Sequence, residues 1–199
     1  VICKRLEVAF ERVSKGEDVR LIINMPPRHG KSEIVSIKYP AWILGKKPQW
    51  PVLVASYSGD LAEKFGMKSR DLMDSAEFKS IFETRLRQDS KAKSSWLTTS
   101  GGGYEACGVG GSITGKGFKI GIIDDPIKNR EEAESRLYQE KIWDWYTSTF
   151  YTRQEGKTAI IIMNTRWGLN DLVAKLLNQQ KENEVANEKN YDKWEIISF

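Results

Sequence analysis

Gly30, Lys31 and Ser32 close the segment Met25-Pro26-Pro27-Arg28-His29-Gly30-Lys31-Ser32, and these residue types in this order suit the holding of a phosphate chain. In such a loop backbone N–H groups surround phosphate oxygens, a lysine ammonium reaches the β- and γ-phosphates, and a serine hydroxyl ligates Mg²⁺. Pro26, Pro27, Arg28, His29, Gly30, Lys31 and Ser32 are therefore the candidate nucleotide-binding residues, and Ser32 is also a candidate metal ligand. The full pattern G-x-x-x-x-G-K-[ST] asks for glycine at position 25, where this chain has Met25. A Gly-Lys-Ser triplet alone is common, so its weight depends on what flanks it.

Asp124 and Asp125 end the apolar run Ile120-Gly121-Ile122-Ile123 and precede Pro126. Two carboxylates at a strand end suit a division of labour in which the first holds Mg²⁺ and the second orients or deprotonates a water. The plainer alternative is an Asp-Asp-Pro turn with solvated carboxylates. ATPases of this kind usually carry Glu at the second place, so Asp125 is one methylene short, and Glu131 or Glu132 could substitute. Thr165 and Arg166 follow a further apolar strand, where a phosphate-sensing group would sit, although strands also simply end on polar residues. Arg28 could pair bidentately with phosphate or carboxylate. His29 reads as a loop residue near phosphate, and Trp143, Trp145 and Tyr146 as helix packing rather than a nucleic-acid stacking platform.

Placing these residues requires alternating elements. Ile2, Leu6, Ala9, Phe10 and Val13 recur at helical spacing, and Ser14-Lys15-Gly16 ends that helix. Residues 21–25 form a short β-branched strand that stops at Pro26-Pro27, and residues 31–44 read as a helix, which is the strand, loop and helix context a phosphate loop needs. Residues 51–57 form a second buried strand, with Ser58-Gly59-Asp60 capping the next helix. Residues 94–100 and 104–113 flank three glycines as a hairpin, and residues 108–117 form a glycine-rich loop. A strand at 119–125, a long helix at 131–150, an apolar strand at 158–163 and a helix at 169–177 follow, with residues 179–193 as surface loop or frayed helix and a last strand at 194–199. Strands apolar on both faces, alternating with helices, predict a mostly parallel sheet covered on both sides.

Composition removes other classes. A chain of 199 residues with 40% hydrophobic content can bury one core, and no apolar run reaches the roughly 20 residues of a membrane helix. Cys3 and Cys107 make no disulfide framework, and one histidine cannot build a multi-imidazole zinc site, so a reducing cytoplasm fits. A net charge of +4 permits a polyanionic partner without demanding one. The expected organisation is a single P-loop ATPase domain over residues 1–199, cut from a longer chain and lacking a nuclease domain.

Four motifs in order, the loop 25–32, Gly108-Val109-Gly110-Gly111-Ser112-Ile113-Thr114-Gly115-Lys116-Gly117, Ile122-Ile123-Asp124-Asp125-Pro126 and Asn164-Thr165-Arg166-Trp167, resemble the ATPase domain of tailed-phage large terminases, over residues 21–177. The resemblance implies a three-layer α/β P-loop NTPase of the additional-strand type. It implies ATP and Mg²⁺ as ligands, with ATP hydrolysis driving double-stranded viral DNA into a procapsid through the portal. It further implies a homo-oligomeric ring, a small terminase subunit as partner, no membrane, and the cytoplasm of the infected bacterial host as the place of action. Carried over residue by residue, Arg28 becomes the loop arginine, Asp124 the metal carboxylate, Asp125 the hydrolytic carboxylate and Thr165 part of the motif coupling hydrolysis to movement. Where the family often has an arginine in the glycine-rich stretch, this chain has Lys116, so the trans-acting cation is Lys116, with Arg70, Arg153 and Arg166 as alternatives. Rival readings are a helicase-like translocase, a nucleotide-binding assembly module without turnover and, more remotely, a small-molecule kinase.

Overall fold

The structure is a computed structural model that describes residues 1–113, 115, 117–165 and 171–199. One sheet of eight strands organises it, in the order β3-β4-β5-β2-β6-β7-β1-β8. The strands are β1 (Val19–Asn24), β2 (Pro51–Ser56), β3 (Leu86–Lys91), β4 (Ser95–Thr98), β5 (Gly103–Gly108), β6 (Phe118–Asp124), β7 (Gln154–Asn164) and β8 (Trp194–Ser198). Pairing is parallel from β5 to β8 and antiparallel only for β3 with β4 and β4 with β5. The strand that leads into the Lys31 loop, β1, is separated from the acidic strand β6 by β7. That inserted strand is the additional-strand arrangement.

The sheet is apolar on both faces because both faces are covered. Along β7 Ala159, Ile161 and Met163 join one core, whereas Ile160 and Ile162 join the other, and all five are fully buried. The first core is roofed by α1 (Ile2–Ser14), α2 (Tyr39–Lys46) and α3 (Gly59–Asp74), the second by α6 (Arg136–Trp145) and α7 (Leu172–Val185). The two-residue alternation of a strand therefore meets apolar helix stripes on each side, giving three layers. Gly121 of β6 is glycine for reasons of space, since a Cβ there would lie 2.7 Å from the Phe150 ring and 2.6 Å from that of Phe118.

Several elements depart from their sequence-based bounds. The expected helix over 31–44 contains a π-helical turn, Glu33–Lys38, that runs directly into α2, and Pro40 just after it cannot donate a backbone N–H to the preceding turn. The expected long helix over 131–150 is instead α5 (Arg130–Glu134), α6, a π turn at Tyr146–Phe150 and a short 3₁₀ turn. Ser135 interrupts it, its hydroxyl accepting from Tyr138 N and capping a new helix. Two elements absent from the sequence reading are α4 (Ala76–Ile81), capped by Ser75, and the edge strand β3, whose polar run Leu-Arg-Gln-Asp-Ser-Lys carries no strand periodicity. Residues 179–185 continue α7. The hairpin around Gly101–Gly103 is present, with β5 ending at Gly108 rather than Ile113.

Candidate functional site

The carboxyl ends of β2, β6, β7 and β1 bring Ser56, Asp124, Asn164 and Asn24 into one row. Ser56 pairs with Asp124 across the β2–β6 ladder, Asp124 with Met163 across β6–β7, and Asn24 with Asn164 across β1–β7. Outside the carboxyl ends of strands in an open α/β sheet is where ligands of such folds bind. The loop 25–32 leaves β1 at this end.

Local chemistry shapes that loop. Met25 continues the ladder through its N–H to the Asn164 carbonyl (3.3 Å) and packs against the first core, which gives a physical reason for a large apolar residue where the glycine pattern fails. The sharp bends fall later, at Arg28 (φ 65°) and Gly30 (φ 75°). A Cβ at Gly30 would meet nothing within 4 Å, so the demand there is for a left-handed backbone and not for space. Pro26, Pro27, Arg28, His29 and Gly30 are exposed, and Lys31 is 5% exposed at the start of the helix. His29 Nδ1 lies 2.8 Å from the Pro27 carbonyl, a contact internal to the loop.

Lys31 is the centre of the arrangement. Its ammonium pairs with the Asp125 carboxylate and donates to Thr165 Oγ1 at 2.5 Å. Asp125 Oδ1 also accepts from the Thr165 N–H (2.9 Å) and hydroxyl (3.1 Å). Asp125 stands just past the end of β6 with φ 43°, a conformation that costs a non-glycine residue energy and that concentrates at functional sites. Its N–H is held by the Met163 carbonyl at 3.0 Å, which ties the turn to β7.

Asp124 is 1% exposed and surrounded by hydroxyls. Its Oδ2 accepts from Ser36 Oγ at 2.7 Å, its backbone carbonyl accepts from Ser56 Oγ at 2.8 Å, and the Ser32 hydroxyl is near enough to stabilise the charged carboxylate. Burial pushes its carboxyl up to about 6, opposed by the hydrogen bonds from Ser36 and Ser32 and by Lys31, and assisted by the nearby Asp125 charge. Asp124 Oδ1 is buried with no hydrogen-bond partner among the described residues. A buried carboxylate oxygen without a partner is costly and calls for a cation or an ordered water. Ser32 and Asp124 are thus an oxygen donor pair suited to a hard cation such as Mg²⁺, which takes few protein ligands and completes its shell with water and phosphate. Among the described residues no group of three or more His, Cys, Asp or Glu forms an all-protein metal cage.

The other expected residues are dispersed. Arg28 is exposed in the loop. Lys116 and Arg166 lie outside the described residues. Arg153 precedes β7 and so stands roughly 30 Å from Thr165 along that strand. Arg70 contacts Asp71 at 3.3 Å. Glu132 accepts from Lys128 N at 2.9 Å on the exposed helix α5, engaged in a local turn rather than with Lys31. Trp145 and Tyr146 are buried in the second core, as packing residues, and Trp143 faces Lys175 at 5.6 Å.

Three contributors were not singled out from sequence. Ser36 lies four residues after Ser32, on the same helix face, and that spacing was the available signal. Ser56 had only its place at a strand end. Asn164 donates to Asp171 Oδ2 at 2.9 Å, and Asp171 Oδ1 accepts from Ala174 N at 2.9 Å, so one buried carboxylate both fixes the end of β7 and caps α7.

Known proteins were compared with this chain. It is similar in structure to the HK97 bacteriophage large terminase, with a TM-score of 0.56 and 15% identity, covering 91% of this chain and 36% of that one. It is also similar to the N-terminal domain of the DNA packaging ATPase from bacteriophage phi29, with a TM-score of 0.53 and 12% identity, covering 94% of this chain and 93% of that one. At these identities the likeness is one of fold, and the chain spans little more than a third of the HK97 protein. None of the curated proteins compared matches it in sequence. The family described as terminase large subunit, T4likevirus-type, N-terminal, matches residues 22–197, from inside β1 into β8. With most of its length matched and its mostly parallel sheet shared with phage packaging proteins, the chain belongs to the terminase large subunit family, T4-like-virus type, in its N-terminal region.

Proposed function

We propose that this chain binds Mg-ATP between loop 26–32 and the Asp124–Asp125 turn, and that hydrolysis there drives double-stranded viral DNA into a procapsid. The observation that carries the reading is the convergence on Lys31: a buried ammonium at a helix start, facing Asp125 and Thr165 from the next two strands of the sheet. A phosphate chain arriving at the helix N-terminus meets backbone N–H groups and the positive end of the helix dipole. Lys31 transfers its charge from Asp125 to the β- and γ-phosphates, which frees the Asp125 carboxylate to accept a hydrogen bond from water. Thr165 holds Asp125 by two contacts and so fixes where that carboxylate points.

Ser32 and Asp124 would hold Mg²⁺, and the bound ion would neutralise charge building on the phosphate oxygens. Asp124 is kept in line by Ser36 while Asp125 positions the attacking water, so the two adjacent carboxylates serve different tasks. Arg28 extends from the loop toward solvent, where it could contact phosphate or a neighbouring subunit. A trans-acting cation, Lys116 or one of Arg70, Arg153 and Arg166, would come from the next copy in a homo-oligomeric ring.

On this reading the partners would be DNA, the portal and procapsid and a small terminase subunit, and the setting the infected host's cytoplasm, in keeping with membership of a terminase large subunit family. No helix among the described residues is long and apolar enough to cross a membrane. A second reading, a nucleotide-binding assembly module without turnover, draws on the three contacts that already engage Asp125. Phosphate release by the intact protein, with and without DNA and procapsids, separates the two: stimulated turnover is expected, and nucleotide binding without turnover under every condition would leave the module.

A further inference from the structure

We propose that Ser36 is a positioning residue for the metal site, holding one oxygen of Asp124 so that the carboxylate presents only the other to the cation. The inference rests on the Mg-ATP reading above and extends it to a side chain outside the phosphate loop.

Ser36 is fully buried, and its hydroxyl donates to Asp124 Oδ2 at 2.7 Å. A serine hydroxyl has one hydrogen to give, and here it is spent on that oxygen. The opposite oxygen, Oδ1, is the one with no partner among the described residues. The carboxylate therefore has a satisfied side and an open side, and Ser36 decides which is which. Ser32 also lies near this carboxylate, but as a candidate metal ligand it belongs to the site itself. Ser36 lies four residues further along the helix, and its hydroxyl is given to the Asp124 carboxylate.

The seat of Ser36 is itself fixed. It lies within the π turn Glu33–Lys38, where the Tyr39 N–H reaches back five residues to the Ile34 carbonyl, and such turns cluster at functional sites. The Ser36 carbonyl accepts from Tyr104 Oη at 3.2 Å. Tyr104 is 1% exposed, stacked on Trp96 with ring centroids 5.4 Å apart, and Trp96 donates to the Gly66 carbonyl at 3.0 Å. A Cβ at Gly66 would come within 2.9 Å of the Tyr104 ring, so the ring fills its slot. A chain of buried contacts thus runs from α3 through Trp96 and Tyr104 to Ser36 and ends on Asp124. Partners that orient a metal ligand change metal affinity by about 10–100-fold when removed.

The test is calorimetric titration of the folded protein with ADP, in Mg²⁺ and in EDTA, for the wild type, Ser36→Ala and Tyr104→Phe. Ser36→Ala is expected to lose about 10–100-fold of the affinity gained from Mg²⁺ while binding ADP in EDTA as the wild type does. Tyr104→Phe, which removes only the hydroxyl behind Ser36, should lose a smaller part of the same gain. A merely structural role would weaken binding equally with and without Mg²⁺, and that result overturns the proposal, as does an unchanged Mg²⁺ gain in Ser36→Ala. If Ser36→Ala does not fold, Tyr104→Phe decides alone, and a full Mg²⁺ gain in it is the contrary result. A wild-type chain that binds ADP identically in Mg²⁺ and EDTA overturns this proposal together with the reading beneath it. Mg²⁺-dependent binding in the wild type that survives intact in Ser36→Ala removes only the role of Ser36.

Discussion

The Lys31 ammonium is paired with the Asp125 carboxylate, and Thr165 contacts both, so the residue assigned to phosphate and the residue assigned to water hold each other. Phosphate must compete with Asp125 for Lys31. Asp125→Asn removes the competing charge and should bind ATP as tightly as the wild type or more so. Its hydrolysis rate should fall by about 10²–10⁴, the usual effect of losing a general base. Calorimetry and a phosphate-release assay on the same preparation check both halves. Full activity in Asp125→Asn would shift the role to another base, with Glu131 and Glu132 next to be replaced.

Asp124 carries a stability cost that the proposed metal-binding role would explain. Burial raises its carboxyl from 3.8 to about 6, so the folded state holds this proton more tightly than the unfolded one. The group costs nothing below the ordinary value; the cost grows as pH rises and is complete above about 6, where it is on the order of 3 kcal/mol. Asp124→Asn retains an acceptor for Ser36 and Ser32 and loses the buried charge. In EDTA at neutral pH it should be more stable than the wild type by about 1–3 kcal/mol, with the gain vanishing near pH 4. Its Mg²⁺-dependent nucleotide binding should be weakened. Chemical denaturation at pH 4 and 7.5 checks the sign, and a less stable variant at pH 7.5 would refute it.

Asp171 serves two partners at once, the buried Asn164 Nδ2 and the part-buried Ala174 N–H. Asp171→Ala removes a helix cap, worth about 0.5–2 kcal/mol, and leaves a buried amide unpaired at a further cost of about 1–3 kcal/mol. A loss of more than about 2 kcal/mol in urea denaturation is expected, whereas a loss typical of an exposed cap would show that Asn164 finds another partner.

Architecture was readable in the sequence wherever burial writes a pattern. The runs Leu21-Ile22-Ile23 and Ala159-Ile160-Ile161-Ile162-Met163 are apolar on both faces because helices cover both faces, and that makes a mostly parallel sheet the natural reading. Ser58 was legible as a cap because Leu61 N is one helical turn ahead of it. The edge strand β3 was not, since only Leu86 of its six residues packs against the core and the strand is held by irregular backbone pairing with β4. The break at Ser135 was hidden because a serine between two helix-forming stretches continues a helix as readily as it caps one. At the candidate site, Lys31, Ser32, Asp124, Asp125 and Thr165 were singled out by residue type and place. The ion pair between Lys31 and Asp125, and the hydroxyls of Ser36 and Ser56 on Asp124, depend on strand order, which residue spacing alone does not encode.

The two thiols should differ sharply. Cys3 is exposed on α1, whereas burial pushes the Cys107 thiol up to about 12, with the Glu105 charge adding to the shift. Because the thiolate is the reactive form, iodoacetamide at pH 8 should label Cys3 faster than the half-buried Cys107, whose labelling should speed up when the protein unfolds. Mass spectrometry of the labelled peptides reads this directly, and equal labelling in the native state would place Cys107 in a more open setting than β5 gives it.

The central claim, that Lys31 receives the phosphates of a nucleotide, is tested most directly by calorimetric titration of Mg-ATP into Lys31→Ala beside the wild type, with the fold of both checked by circular dichroism. Removing the buried ammonium takes away the positive charge facing the β- and γ-phosphates and leaves Asp125 directed at them instead. The account predicts saturable binding by the wild type and none detectable in the folded variant; undiminished affinity in Lys31→Ala would contradict it.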